Sequence, residues 1–141
     1  MSDLKSRVFD DAVARELSER LADVFRTAQA DDVLAEDVFL DGNPPLWRFQ
    51  LEGRDTLDTW IKSFMPHGAE TTVVRTIPTV TGFVTEFTGR HDEDSQEITD
   101  RKILLAEVRD GRIAELTVYC SGDWDADLRA RHAAETHLIR P

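Results

Sequence analysis

The chain has 141 residues, a formal net charge of −11, 40% hydrophobic and 32% charged residues. That length holds one hydrophobic core and is short for two ordinary domains, and the apolar content argues against disorder. The acidic balance opposes binding to a phosphate backbone, and no apolar run approaches the roughly 20 residues of a membrane helix, so neither nucleic acid nor membrane is an expected partner.

The N-terminal stretch MSDLKSRVFDD has no apolar segment behind its basic residues, so no secretory signal is read there. One cysteine, Cys120, allows no internal disulfide. A cytoplasmic address is the resulting expectation. Phe9, Val13, Leu17, Leu21, Val24 and Ala28 recur at three- and four-residue steps and predict a first helix from about Asp10 to Ala30, capped by Asp10 or Asp11. A short helical turn is expected at Asp32–Ala35 and a short strand at Asp37–Asp41, ending in the turn Gly42-Asn43-Pro44-Pro45. Trp47, Phe49 and Leu51 alternate with polar residues, as in a half-buried strand. Leu57, Trp60, Ile61 and Phe64 mark a second helix, ended by Pro66-His67-Gly68. Strands are then expected at Thr71–Ile77, Thr79–Gly89, Glu97–Arg109 and Ile113–Cys120, with a closing helix at Asp123–Glu135. Asp110-Gly111 is the strongest hairpin signal in the chain.

The order of these elements, with Val38-Phe39-Leu40-Asp41 before a proline turn, Gly53-Arg54-Asp55 opening the middle helix and Asp110-Gly111-Arg112-Ile113 before Tyr119, resembles the nuclear transport factor 2-like superfamily and within it the SnoaL-like branch. The resemblance covers nearly the whole chain. It implies one SnoaL-like α+β domain over residues 1–141: a cone-shaped, curved antiparallel sheet whose concave face is covered by helices. It also implies a pocket for a small hydrophobic molecule and dimerisation through the convex face. The superfamily includes isomerases, cyclases, epoxide hydrolases, dehydratases and binding-only members, so the fold does not give the function.

A two-residue turn at Asp110-Gly111 sets a register in which Leu105 opposes Leu116, Ile103 opposes Val118 and Arg101 opposes Cys120. Pleating then puts Arg101, Ile103, Leu105, Leu116, Val118 and Cys120 on the concave face. If the preceding hairpin turns at Glu93-Asp94, Glu86 opposes Arg101 on that face. Such a pair either orients a polar group of a ligand or meets water at the sheet end. Trp47, Phe49, Trp60, Phe64 and Trp124 are candidate pocket walls, with core packing as the alternative.

Asp41 ends the first expected strand, where ketosteroid isomerase-like members keep a proton-shuttling aspartate. Against Trp47 and Phe49 its carboxyl would be desolvated and its pKa raised toward that of a general base. The alternative is a turn aspartate bonding its own backbone. The chain departs from the isomerase pattern at Ile103, where the resemblance leads one to expect an acid, with Asp100 on the other face by this register. Arg101 is then the candidate oxyanion stabiliser.

Asp123-Trp124-Asp125-Ala126-Asp127 opens like a calcium loop but has Leu128 and Ala134 in place of the required Gly and Glu, and the four histidines show no metal spacing, so no metal is expected. No phosphate loop or dinucleotide fingerprint is present, and no cofactor is expected. The reading that results is a cofactor-independent cyclase, isomerase, hydratase or epoxide-opening enzyme with Asp41, Arg101 and Glu86 as its catalytic set. The alternative is a non-catalytic binding module or a structural dimer of the same fold.

Overall fold

The computed structural model describes residues 8–140. Most of the N-terminal stretch read for a secretory signal, residues 1–7, lies outside them. The first apolar stripe becomes α1 (Asp11–Thr27), whose start is capped by the Asp10 carboxylate accepting from Val13 N at 3.0 Å. Leu17, Leu21, Val24 and Ala28 are buried as the stripe requires, whereas Val13 is exposed and Ala14 takes its place in the core. Ala28 ends the helix in the left-handed region at φ 54°.

The helical turn expected at Asp32–Ala35 gives way to strand. Asp31 accepts from Val33 N, and β1 already begins at Leu34 and runs to Asn43. The remaining elements follow in the expected order: β2 (Phe49–Glu52), α2 (Arg54–Phe64), β3 (Glu70–Pro78), β4 (Gly82–Glu93), β5 (Gln96–Arg109), β6 (Arg112–Cys120) and α3 (Ala126–Glu135). α3 starts three residues later than expected, and its cap is Asp125, which accepts from Leu128 N at 2.8 Å.

The fold is α+β, but the expected cone-shaped, wholly antiparallel sheet is corrected. Six strands form one mixed sheet in the order β2-β1-β6-β5-β4-β3, with β1 parallel to β6. The sheet is neither closed nor strongly curled. Closure needs long edge strands brought into register with each other. Here one edge is the four-residue β2 and the other is β3, which has a bulge near Val74 and ends at Pro78.

α1 and α2 lie on one face, termed inner. The core forms there from Leu17, Leu21, Phe25, Leu40, Ile61, Phe83, Phe87, Leu104 and Leu116. Phe25 meets Phe87 edge-on at 6.0 Å between centroids. Ser18 Oγ and Thr85 Oγ1 share a buried hydrogen bond of 2.6 Å between α1 and β4. The outer face carries Ile77, Ile103, Leu105 and Tyr119, all exposed.

Two registers decide which side chains face inward. In the β5–β6 hairpin Arg109 opposes Arg112, as the turn predicts, but one extra residue in β6, Ala114, shifts every later pair. Ala106 therefore opposes Leu116, Leu104 opposes Val118 and Lys102 opposes Cys120. The β4–β5 hairpin turns at Asp94-Ser95, so Glu86 opposes Ile103 and Arg101 opposes Thr88.

Candidate functional site

The inner face opens into a cleft of about 470 Å³ between β1, β5 and β6 below and the ends of α1 and α2 above. Its apolar side is built by alternation on the strands and by helical spacing on α2. Leu40 and Val118 point inward from β1 and β6, and Phe49, Trp60 and Phe64 form a continuous aromatic wall. Phe49 and Trp60 lie 5.3 Å apart and Trp60 and Phe64 4.6 Å apart between ring centroids. Gly42 faces Phe49 across the β1–β2 pair, and a Cβ at Gly42 would run into the Phe49 ring. The absence of a side chain there lets the ring lie over the strand.

The floor is polar. Asp100 and Lys102 project from β5 toward the same side, and their carboxylate and ammonium form an ion pair with each side chain only 9% exposed. Lys102 Nζ also stands 5.1 Å from the centroid of the Phe25 ring. Asp100 lies over Gly89 of β4, where a Cβ would meet its carboxylate. Cys120 borders the pair, its Sγ accepting from Gly122 N at 3.3 Å and lying 3.9 Å from the Asp100 carboxylate. Burial pushes the Cys120 thiol above its ordinary value of 9.0, partly offset by the Gly122 N–H and the Lys102 charge. Two charges withdrawn from water cost several kcal/mol each unless they pair, and here they pair beside an open apolar space. Such a floor can donate to a ligand oxygen through Lys102 and accept a proton through Asp100. Among the described residues no group of three or more His, Cys, Asp or Glu side chains is arranged to hold a metal ion.

No protein-family model and no curated protein matches the sequence. Solved structures do match the fold. An LEH-like epoxide hydrolase from M. tuberculosis superposes with a TM-score of 0.63 at 18% identity, over 78% of this chain and 84% of its own. A nuclear transport factor 2-like protein of unknown function from Burkholderia xenovorans gives 0.61 at 17% identity, over 92% and 98%. A protein with a ketosteroid isomerase-like fold from Catenulispora acidiphila, in complex with trimethylamine, gives 0.61 at 12% identity, over 74% and 84%. The chain has the nuclear transport factor 2-like fold.

Within this nuclear transport factor 2-like fold, the expected pocket residues Phe49, Trp60, Phe64, Val118 and Cys120 do come together in the cleft. Leu116 lies deeper, 2% exposed, at a void of about 10 Å³, too small for a ligand. Trp47 stands 72% exposed in the turn before β2, and Trp124 lies near α3, in edge contact with His132 at 5.1 Å.

The three expected catalytic residues are placed otherwise. The Ala114 bulge turns Arg101 and Ile103 to the outer face and brings Lys102 and Leu104 inward. Arg101 and Glu86 do form an ion pair at 3.0 Å, but on the outer face, with the Arg101 side chain 68% exposed and Arg75 also on Glu86 at 3.1 Å. Asp41 alternates with the inward Leu40 and Gly42 and so also faces outward. Arg48 grips it through two hydrogen bonds of 2.9 and 2.8 Å. Those bonds hold the Asp41 carboxyl below its ordinary value of 3.8, against the raised value expected of a buried base. The residues missed are Asp100 and Lys102. Their two-residue spacing marks them as sharing one face of a strand with Leu104 and Ala106, but only the true register says that this face is the inner one.

Proposed function

We propose that this chain binds a small, largely apolar molecule bearing one carbonyl or hydroxyl oxygen in the inner cleft, and acts on it by acid–base chemistry of the isomerase type. The carrying observation is the buried Asp100–Lys102 pair on the floor of an otherwise aromatic and aliphatic cleft. The Lys102 ammonium donates to the substrate oxygen and stabilises the enolate that develops there. The Asp100 carboxylate removes the proton from the adjacent carbon and returns it at the same or a neighbouring carbon. The aromatic wall holds the carbon skeleton and excludes water.

The test follows deuterium incorporation into 2-tetralone in D2O by NMR. Exchange at the acidic carbon is expected to be faster with the protein than with buffer, and to fall to the buffer rate in Asp100→Asn. Exchange at the wild-type rate in that variant excludes Asp100 as the base.

A second reading is a binding module without turnover. One observation favours it: the Asp100 carboxylate is already engaged by the Lys102 ammonium, so each is occupied by the other rather than free for a substrate. It expects 2-tetralone to bind without exchange, with affinity lost in Lys102→Met.

We also infer that two copies associate through the outer face, where exposed Ile103, Leu105 and Tyr119 adjoin the Arg75–Glu86–Arg101 ion pairs. Sedimentation at micromolar concentration is expected to give twice the chain mass, falling to one chain mass in Ile103→Glu.

A further inference from the structure

A second hollow, of about 650 Å³, lies on the other side of the sheet from the cleft, between α3 and the outer-face side chains Thr72, Thr88 and Arg101. Three facts about it need a common cause. First, α3 is firmly attached yet buries none of its residues. Its approach is fixed by Trp124 and Thr99, which exchange backbone hydrogen bonds of 3.0 and 2.9 Å, and its start by the Asp125 cap. A helix held this way without a packed face is a wall rather than a piece of core.

Second, Arg129 is locked in place without an acid. Its Nη1 donates to Glu97 O at 2.9 Å and to Trp124 O at 2.6 Å. Among the described residues no carboxylate lies within ion-pair distance of it, although the chain is strongly acidic. Its other nitrogens keep their donors. A guanidinium fixed by two carbonyls is a preorganised fork for a carboxylate.

Third, the hollow pairs that charge with an aromatic surface. Trp124 and His132 line it in edge-to-face contact. Of the charged residues around it, Asp100 is paired with Lys102 on the inner face and the other two arginines already have carboxylate partners, which leaves Arg129 as the one lining cation without one among the described residues. Arg90 is already shared by Glu70 and Glu97, and Arg101 is on Glu86. That balance suits a monoanion and disfavours a phosphate dianion.

We propose that the hollow between α3 and the outer sheet face is a second binding site, for a small aromatic monocarboxylate. Its carboxylate sits on Arg129, its ring lies along Trp124 and His132, and its occupancy is independent of the inner cleft.

The probe is 2-naphthoate, titrated into the full-length protein by calorimetry at low salt. One site is expected, weakened at least tenfold in Arg129→Gln and largely recovered in Arg129→Lys. Thr88→Trp, which fills the hollow from the sheet side and leaves the Arg129 side chain and its carbonyl partners unchanged, is expected to abolish binding even if Arg129→Gln loosens the helix. Trp60→Ala, confined to the inner cleft, is expected to leave the affinity unchanged. The proposal is overturned if 2-naphthoate does not bind, or if it binds Arg129→Gln and Thr88→Trp as well as the wild type. Loss in Trp60→Ala with retention in Arg129→Gln would overturn it equally, by moving the anion to the cleft.

Discussion

Asp100 and Lys102 stand two residues apart on β5 and close an ion pair on each other beneath the Phe25 ring. Neither has a second charged partner among the described residues. Each charge is therefore tolerable only because of the other. Removing one partner of a buried pair typically costs roughly 3–5 kcal/mol, while replacing both with uncharged groups is often near neutral. Lys102→Met is expected to lose stability in that range, and Asp100→Asn combined with Lys102→Met to recover most of it. Urea unfolding of the two single variants and the double variant measures the coupling, and simple additivity of the two losses would count against it. Gly89→Ala acts on the same pair from the opposite strand, because its Cβ would displace the Asp100 carboxylate. A loss is expected there too.

Asp41 supplies a pH dependence with a definite sign. Arg48 holds its folded-state pKa below the ordinary 3.8. The pair's contribution is therefore fully present above that ordinary value and is lost as the pH falls through the lowered folded value. Asp41→Asn is expected to be less stable than the wild type at neutral pH, with the two stability curves converging in acid. Carboxyl-carbon NMR titration should place Asp41 below 3.8. The same variant separates the two faces functionally: 2-tetralone exchange is expected to persist in Asp41→Asn and to vanish in Asp100→Asn.

The order of elements and most of the aromatic wall were legible because they rest on periodicity. Leu57, Trp60, Ile61 and Phe64 repeat at helical spacing, and Asp110-Gly111 supplies the positive φ angles, 53° and 76°, that a tight hairpin turn requires. What hid the cleft floor is a single residue. Ala114 carries no bulge signal, since it is neither glycine nor polar, and it lies between residues that read as continuous strand. Yet a shift of one in a period-two structure exchanges the faces, so Arg101 and Ile103 change places with Lys102 and Leu104. The Glu86–Arg101 pair survives for a related reason. The β4–β5 turn lies one residue further along than expected, which moves the register by two and leaves both side chains on a common face. That face is the outer one, because its orientation follows from the bulge. The parallel pairing of β1 with β6 was hidden too, since the two strands lie about seventy residues apart and no local signal joins them.

Cys120 tests the dryness of the cleft floor. Its thiol is raised above 9.0 chiefly by burial, so little thiolate exists near neutral pH and reaction with iodoacetamide is expected to be slower than for a free thiol. Lys102→Met removes the nearby cation that favours the thiolate and is expected to slow alkylation further. A fast reaction at neutral pH in the wild type would mean that the floor is wetter than the burial of Asp100 and Lys102 requires.

Trp60 links the wall to the fold. It bridges Phe49 on β2 and Phe64 on its own helix, while its edge also borders the small void behind Leu116. Being half-buried, it is expected to cost about 2 kcal/mol on truncation to alanine, below the roughly 3–5 kcal/mol of a fully buried aromatic. Trp60→Phe keeps both ring contacts and should recover most of that stability. The two substitutions should differ more sharply in binding 2-tetralone, because alanine leaves Phe49 without the ring that holds it over Gly42 and lets water reach Lys102. Affinity retained in Trp60→Ala would mean that the aromatic wall packs the fold without serving the cleft.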